Sequence, residues 1–193
     1  MLKIYFYVNK LNDIQKLNLI QLKNINIIYR NYDFKDYKSC ALELKQFCKK
    51  QKFNFFISND YQLAKKLSAD GLYLPSYNTI DKYKNAKIKL IGSAHNELEM
   101  HKKISQGCEE VFISPIFNTS SGGSKIGKGL LFYKKFLTQF KSCIKVNALG
   151  GIGFKNIRYI SNYNGNGFAS LSLIEKKISQ KFISELKLIA TNR

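Results

Sequence analysis

The sequence lacks the features that mark membrane proteins and secreted proteins. No apolar run reaches the roughly 20 residues that a membrane-spanning helix needs. The first residues do not form the charged, apolar and small-residue regions of a secretory signal peptide. We therefore expect a cytoplasmic protein that binds no membrane.

Acidic residues are also scarce: 13 Asp and Glu stand against 32 Lys and Arg, which gives a formal net charge of +19. Such a charge attracts nucleic acid, anionic membranes or anionic small substrates. The lysines, among them Lys45, Lys65, Lys102 and Lys103, occupy the polar faces of nearly every predicted helix and form no single stripe. Plentiful Lys, Asn, Ile and Tyr, together with no Trp and two Pro, are typical of an AT-rich genome. Compositional drift is therefore favoured over specific nucleic-acid binding, with attraction of phosphorylated small molecules as a by-product.

The four cysteines have no spacing that indicates a metal site or a disulfide. None belongs to a C-x-x-C pair, and no histidine lies close to them in the sequence. Cys40 and Cys48 fall on the apolar face of one predicted helix, so buried thiols are the favoured interpretation.

Strand-like and helix-like patterns alternate along all 193 residues, with no linker and no change of composition. The predicted strands are Lys3–Val8, Ile25–Tyr29, Phe53–Ile57, Gly71–Leu74, Lys87–Ile91, Glu110–Ile113, Ile144–Leu149 and Phe168–Ile174. The predicted helices include Leu11–Leu22, Asn96–Gln106 and a last one over Ile178–Ile189. About eight such units predict an α/β fold, a small single-domain (β/α)₈ TIM barrel over residues 1–193. A doubly wound open sheet is the alternative.

Two consecutive predicted strands end in loops with exposed backbone amides. Gly150-Gly151 follows the strand Ile144–Leu149, and Ser170 to Ser172 lie at the end of the next strand. Glycine allows a phosphate to approach the main chain, and the loops after the last two strands of such a barrel are its usual phosphate site. The alternative is an ordinary turn that contains glycine for its geometry.

Function in such a barrel belongs at the carboxyl ends of the strands. These ends hold one Arg, one Asp, several amides and hydroxyls, but no Cys–His pair and no two close acids. The set is Arg30-Asn31, Asn59-Asp60, Tyr73 to Asn78, Ser93 to His95, Ser114 to Lys125, Gly150-Gly151 and Ser170 to Ser172. It suits phosphate binding more than nucleophilic or acid–base catalysis.

Two charged residues in this set each have two interpretations. Arg30 can take a diphosphate in bidentate fashion, or form a salt bridge at the rim. Asp60 can hold Mg²⁺ together with substrate phosphates, or cap the helix that starts near Gln62.

The segment Ser114 to Lys128 is the longest irregular stretch and is rich in Ser and Gly, which is typical of a functional loop. Lys125 or Lys128 would fold over a diphosphate as part of such a lid. Solvated lysines on a mobile loop are the alternative.

Taken in order, these elements resemble thiamine phosphate synthase and its TenI-like relatives, which are small (β/α)₈ barrels. The matching stretches are Ile57 to Asp60, Ala69 to Leu74, Ile91 to Ser93 with His95, Ser114 to Thr119, Gly127 to Leu130, Ala148 to Ile152 and Ala169 to Ile174. The resemblance implies a reaction that joins hydroxymethylpyrimidine diphosphate to thiazole phosphate and releases diphosphate.

The resemblance also implies a role for each matching residue. Arg30, Asn59 and Ser93 would contact the pyrimidine diphosphate, and Asp60 would bind Mg²⁺. The remaining contacts, to the diphosphate and the thiazole phosphate, would come from Thr119, Ser121, Gly150, Gly151, Leu171 and Ser172.

The sequence departs from the family's pattern at several of its charged positions. Ile28 to Tyr32 lacks the glutamine and lysine of the family's Q-x-R-x-K, and Asn78 stands at the place of the second Mg²⁺ carboxylate. Gly122 replaces a lysine, for which Lys125 is the nearest substitute, and Pro115 replaces the histidine of the tautomerases. A non-catalytic or TenI-like binder of thiazole or thiamine phosphates is therefore the alternative function. Self-association into a homo-oligomer is left open.

Overall fold

A computed structural model describes residues 2–15, 25–31, 35–119, 125–163, 165–171, 173 and 184. Its eight strands form one closed barrel in the order β1 to β8, and every neighbouring pair is parallel. The ring closes between the last strand and the first, where Lys3 pairs with Gly167 and Phe6 with Ser170. The predicted barrel is confirmed, and the open sheet is excluded.

The strand bounds agree with the predicted ones to within one residue except at three ends. The strands are β1 Lys3–Val8, β2 Ile25–Tyr29, β3 Asn54–Ser58, β4 Gly71–Leu74, β5 Lys89–Ala94, β6 Glu110–Ile113, β7 Lys145–Leu149 and β8 Gly167–Ser170. The predicted end of β5 at Ile91 is wrong, because Gly92 pairs with β4 and Ser93 pairs with β6. The predicted end of β8 at Ile174 is also wrong, since the strand stops at Ser170.

Six helices are described between or beside these strands. They are α1 Leu11–Gln15, α2 Tyr37–Gln51, α3 Tyr61–Lys66, α4 Glu97–Ser105, α5 Gly129–Phe140 and α6 Ile157–Ser161. The predicted continuation of the first helix to Leu22 lies outside the described residues, as does nearly all of the predicted helix Ile178–Ile189. No helix in the described ranges is long and apolar enough to cross a membrane.

Side chains alternate along each strand between the interior of the barrel and the layer under the helices. In β1, Ile4, Phe6 and Val8 belong to the outer layer, whereas Tyr5 and Tyr7 belong to the inner cluster. That inner cluster is completed by Ile28, Phe56, Tyr73, Ile91, Phe112 and Ala169. Bulky residues thus fill the middle of the barrel, which leaves its two ends for polar chemistry.

The cysteines follow their prediction with one exception. Cys40, Cys48 and Cys108 are buried, but Cys143 is exposed because it lies in the turn after α5. All four are free thiols.

The amino end of the barrel carries a buried ionic cluster around Glu110, the first residue of β6. Its carboxylate contacts the ammonium of Lys3, lies 2.8 Å from Lys89 Nζ and accepts hydrogen bonds from Tyr5 at 2.9 Å and Asn147 at 3.1 Å. Burial alone would raise the pKa of Glu110, but hydrogen bonds from Lys3, Lys89 and Asn147 lower it to about 2. The cluster therefore ties β1, β5, β6 and β7 together below the apolar interior.

Candidate active site

A cavity opens at the carboxyl ends of the strands, where the sequence places function. Within the described residues, every strand except β3 contributes to its wall, either by its last residues or by the loop that follows. The lining residues are Tyr7, Arg30, Tyr73, Pro75 to Tyr77, Ser93, His95, Ser114, Pro115, Thr119, Lys125, Leu149 to Ile152 and Ala169 to Leu171. None of them is an Asp or a Glu, whereas Arg30 and Lys125 are cations. The cavity is therefore positively charged.

The predicted site residues fall into three groups. Seven of them line this cavity together: Arg30, Ser93, Thr119, Lys125, Gly150, Gly151 and Leu171. Asn59 and Asp60 do not; they line a separate shallow hollow with Tyr61, Gln62, Lys82 and Tyr83. Ser121 and Ser172 lie outside the described residues.

Gly150 and Gly151 form a turn that no other residue type fits. Their φ angles are +95° and +64°, a region that L side chains rarely adopt. A Cβ at Gly150 would lie 2.7 Å from Pro115 Cα, and one at Gly151 would lie 2.3 Å from Asn118 O. The turn therefore requires glycine at both positions on steric as well as conformational grounds.

The carbonyls of this turn are occupied, while its amides are available. Gly150 O accepts a hydrogen bond from Phe117 N at 3.0 Å, and Gly151 O accepts one from Asn156 Nδ2 at 2.8 Å. Within the described part of the chain, the amides of Gly150, Gly151 and Leu171 donate to no acceptor. Adjacent backbone amides of this kind bind anions, so the turn at the end of β7 and the end of β8 can together hold a phosphate.

The long loop after β6 is fixed at its base and carries Lys125 into the cavity wall. Thr119 N donates to Lys125 O at 3.0 Å, and Lys125 N donates back to Thr119 O at 2.9 Å. Lys128 is used differently: its ammonium contacts His95 O and lies 4.7 Å from the centre of the Phe132 ring. Of the two lysines that the sequence offers for this site, the structure brings Lys125 to the cavity.

Among the described residues, Arg30 lies over an aromatic ring and not against an acid. Its guanidinium is 5.0 Å from the centre of the Tyr7 ring, and that ring meets Tyr73 edge-on at 5.5 Å. The ion pairs found among the residues described do not include Arg30, and the rim ion pair stays an alternative. The Arg30 guanidinium forms part of the cavity wall, where it can contact a flat or anionic ligand.

His95 lies between β5 and β6 at the edge of the cavity. Its Nδ1 is 2.9 Å from Ser114 O and 3.0 Å from Ser114 Oγ, and its backbone N donates to Glu99 Oε2 at 2.7 Å. These contacts fix the imidazole beside Pro115.

Asn59 and Asp60 are held by bonds within the protein. Asp60 Oδ1 accepts a hydrogen bond from Leu63 N at 2.9 Å, so the predicted N-cap of α3 is confirmed. Asn59 has a φ of +59°, and its Oδ1 accepts from Asn78 Nδ2 at 2.6 Å. These contacts keep both residues outside the cavity wall.

The sequence model of the family described as thiamine monophosphate synthase matches residues 13–174. The chain belongs to this family. The predicted family resemblance is thereby confirmed.

Two curated relatives agree with this assignment, and one solved structure shares the fold. The thiamine-phosphate synthase of Prochlorococcus marinus (strain AS9601) is 26% identical over 90% of this chain, but the chain spans only 49% of that relative, about half its length. Thiamine-phosphate synthase 1 of Streptococcus pneumoniae (strain ATCC BAA-255 / R6) is 30% identical over 76% of this chain and 72% of its own length. The structure of thiamine phosphate pyrophosphorylase from Pyrococcus furiosus superposes with a TM-score of 0.78 at 20% identity, covering 97% of this chain and 95% of that one. This last likeness concerns the fold.

The family uses Mg²⁺, and the residues of this chain fit a preformed Mg²⁺ site poorly. Mg²⁺ prefers carboxylates and substrate phosphates as ligands. Asp60 is the only carboxylate at the end of β3, and one of its oxygens caps α3. No group of three or more His, Cys, Asp or Glu side chains that could hold a metal occurs in the described ranges. The Asp60 ligand stays a prediction.

The sequence did not single out Tyr7, and it gave His95 no role. The signal for Tyr7 is the alternation in β1, because the aliphatic residues Ile4 and Val8 define the outer face and Tyr5 and Tyr7 therefore point into the barrel. The signal for His95 is its position two residues after Ser93 at the end of β5.

Proposed function

We propose that the chain is a transferase that joins hydroxymethylpyrimidine diphosphate to thiazole phosphate and releases diphosphate. The observation that carries this proposal is the composition of the cavity: two cations and a set of bare backbone amides, with no acidic side chain among the described lining residues. Both substrates are phosphorylated, so a cavity of this charge favours them.

In this proposal the amides of Gly150, Gly151 and Leu171 hold the thiazole phosphate, with Ser172 as a further predicted contact. Arg30 and Lys125 lie elsewhere on the wall of the same cavity and hold the diphosphate, with Thr119 and the predicted Ser121. The two anionic groups would thus occupy separate parts of one cavity, and the reacting carbon and nitrogen would meet between them.

The chemical step breaks the bond between the pyrimidine methylene carbon and the diphosphate oxygen, and the electron pair leaves with the diphosphate. Arg30 and Lys125 stabilise the charge that develops on that oxygen, and the thiazole nitrogen donates its electron pair to the carbon. Ser93 and the rings of Tyr7 and Tyr73 supply a polar and an aromatic wall for the pyrimidine. Asn59 lies outside this wall, and its contact with the substrate stays a prediction.

A binder without this activity is the second candidate, and Ile28 favours it. Ile28 stands where the family has glutamine, and its side chain is fully buried in the inner cluster, where it offers no hydrogen bond to a ring. The phosphate turn at Gly150-Gly151 does not depend on this residue. A chain of this kind would bind thiazole phosphate or thiamine phosphate without turnover.

The two candidates are separated by incubating the purified chain with both substrates and Mg²⁺ and measuring thiamine phosphate by its fluorescent oxidation product. The transferase gives product, and Lys125→Met lowers its rate. Absence of product, combined with a rise in melting temperature on addition of thiazole phosphate alone, would establish the binder. Absence of both would overturn the phosphate site itself.

A further inference from the structure

A lysine is buried beneath the loop that connects β4 and β5, residues 75–88. Lys103 in α4 has no exposed surface, and its ammonium donates to the backbone oxygen of Asn78 at 2.7 Å and to Gln106 Oε1 at 2.9 Å. Both acceptors are uncharged, and no carboxylate within the described residues forms an ion pair with it. The sequence places Lys103 on a polar helix face, and this is wrong, because it lies three residues after the buried Met100, on the face of α4 that packs against the barrel.

Asn78 connects this ammonium to the end of β3. Gln106 Nε2 donates to Asn78 O and to Asn78 Oδ1, each at 3.1 Å, while Asn78 Nδ2 donates to Asn59 Oδ1 at 2.6 Å. Asn78 Oδ1 also accepts from Ile80 N at 3.0 Å. Every polar atom of the Asn78 side chain is therefore already in use.

The space around the Lys103 side chain is shaped for it. A Cβ on Gly92 of β5 would lie 2.8 Å from Lys103 Cδ and 3.0 Å from Leu74 O. Gly92 thus leaves room for the aliphatic part of the lysine between α4 and the barrel. The packing of this fold therefore accommodates the Lys103 side chain in the interior.

A divalent cation at this place would meet unsuitable neighbours. The oxygens of Asn59 and Asn78 already accept hydrogen bonds, and Asp60 has one carboxylate oxygen left after it caps α3. The Lys103 ammonium, which lies 2.7 Å from Asn78 O, would repel a second cation nearby. Mg²⁺ loses its coordinated water reluctantly and binds where carboxylate or phosphate oxygens replace that water.

We propose that Lys103, Gln106 and the hydrogen-bonded amides of Asn59 and Asn78 form a metal-free clamp, in which an internal ammonium replaces a bound divalent cation. The clamp holds the β4–β5 loop against the end of β3. That loop carries Pro75, Ser76 and Tyr77 into the cavity wall, so Lys103 is a positioning residue for the site. The proposal rests on the proposed function in one respect only, since that function identifies the lost site as the Mg²⁺ site of the family.

The first test is Mn²⁺ binding, followed by electron paramagnetic resonance in the absence of any phosphate ligand. The native chain is expected to leave the free Mn²⁺ signal unchanged. The double variant with Asn78→Asp and Lys103→Met regains a carboxylate and loses the ammonium, and it should bind Mn²⁺ at least about tenfold more tightly than the native chain. A matched control combines Asn78→Asp with Lys102→Met, which removes the neighbouring, partly exposed lysine that pairs with Asp81, and it should bind no better than native.

The second test is hydrogen exchange of the β4–β5 loop, followed by mass spectrometry. Lys103→Met should speed exchange in residues 75–88 by about tenfold or more, while the strands β6 and β7 keep their protection. Mg²⁺ should restore protection in the Asn78→Asp, Lys103→Met double variant but not in the single Lys103→Met variant. Rescue by a metal distinguishes a clamp from a merely structural lysine.

Two results would overturn the proposal. In the first, the native protein binds Mn²⁺ without phosphate and this binding is lost in the Asp60→Asn variant. In the second, Mg²⁺ slows hydrogen exchange of the β4–β5 loop in the native chain. Neither result needs the double variant to fold, so the proposal stays testable if that variant does not. Failure to form thiamine phosphate would count against the proposed function alone, because both tests omit the substrates.

Discussion

The carboxylate of Glu110 lies 2.8 Å from the ammonium of Lys89, at the end of the barrel away from the cavity. The Glu110 side chain is fully buried, while 28% of the Lys89 side chain is exposed. Since Lys3, Tyr5 and Asn147 complete the shell, the carboxylate is satisfied only when the first, fifth, sixth and seventh strands are all in place. The cluster therefore couples ring closure to stability.

Glu110→Gln should destabilise the chain by about 3 kcal/mol at neutral pH. Burial raises the pKa of Glu110, but its hydrogen-bond donors lower it to about 2 in the folded state, against 4.5 ordinarily. A lowered folded-state pKa gives stability that is complete above 4.5 and is lost as the pH falls towards 2. Urea unfolding of native protein should therefore show a steep loss between these pH values, and Glu110→Gln should show a shallower one.

Glu109→Gln is the control for this prediction, since Glu109 is the preceding residue and is exposed. It should change the free energy of unfolding by less than about 0.5 kcal/mol. Equal losses in the two variants would show that the buried cluster has no special role.

Gly151→Ala should weaken the binding of thiazole phosphate by more than about tenfold. Its Cβ would lie 2.3 Å from Asn118 O, so the turn must move and its amides must turn away from a shared anion. Isothermal titration with thiazole phosphate measures this loss directly.

Gly129→Ala is the control for Gly151→Ala, because it introduces backbone strain without a steric clash. Gly129 has a φ of +84°, but a Cβ there meets nothing within 4 Å. This variant should cost about 1 to 2 kcal/mol of stability and leave thiazole phosphate binding unchanged. Similar binding losses in both variants would argue against a phosphate at Gly151.

The fold and most of the cavity follow from local patterns, because alternating strands and helices determine which residues reach the carboxyl end of the barrel. Contacts between distant loops do not follow from such patterns. Lys103 is buried with Met100 on the inner side of α4, and its ammonium contacts the β4–β5 loop, a contact that no local pattern indicates. Likewise, the amide of Asn78 meets Asn59 across 19 residues of chain, and no periodicity indicates that pair.

Lys125→Met should raise the KM for the pyrimidine diphosphate by about tenfold, because a charged hydrogen bond contributes about 1.5 to 3 kcal/mol. The bridge between Thr119 and Lys125 places this lysine on the cavity wall. Lys134→Met removes the same charge from the exposed side of α5 and serves as the control. If the two variants show the same KM, only the overall charge of the chain attracts the substrate.

The burial of Lys103 should make stability rise with pH in the alkaline range. Burial lowers the pKa of Lys103 from 10.5 to about 8, and the nearby carboxylates of Glu99 and Asp81 offset part of this effect. Between these two pKa values the unfolded chain binds more protons at this lysine than the folded chain does, so its contribution to stability increases as the pH rises from 8 to 10.5. Urea midpoints of native protein and Lys103→Met, measured over this range, should differ by an amount that changes steadily with pH. Lys102→Met, which removes a partly exposed ion-pair partner of Asp81, should keep the rise of stability with pH. A constant difference for Lys103→Met would mean that its ammonium is as well solvated as a surface lysine.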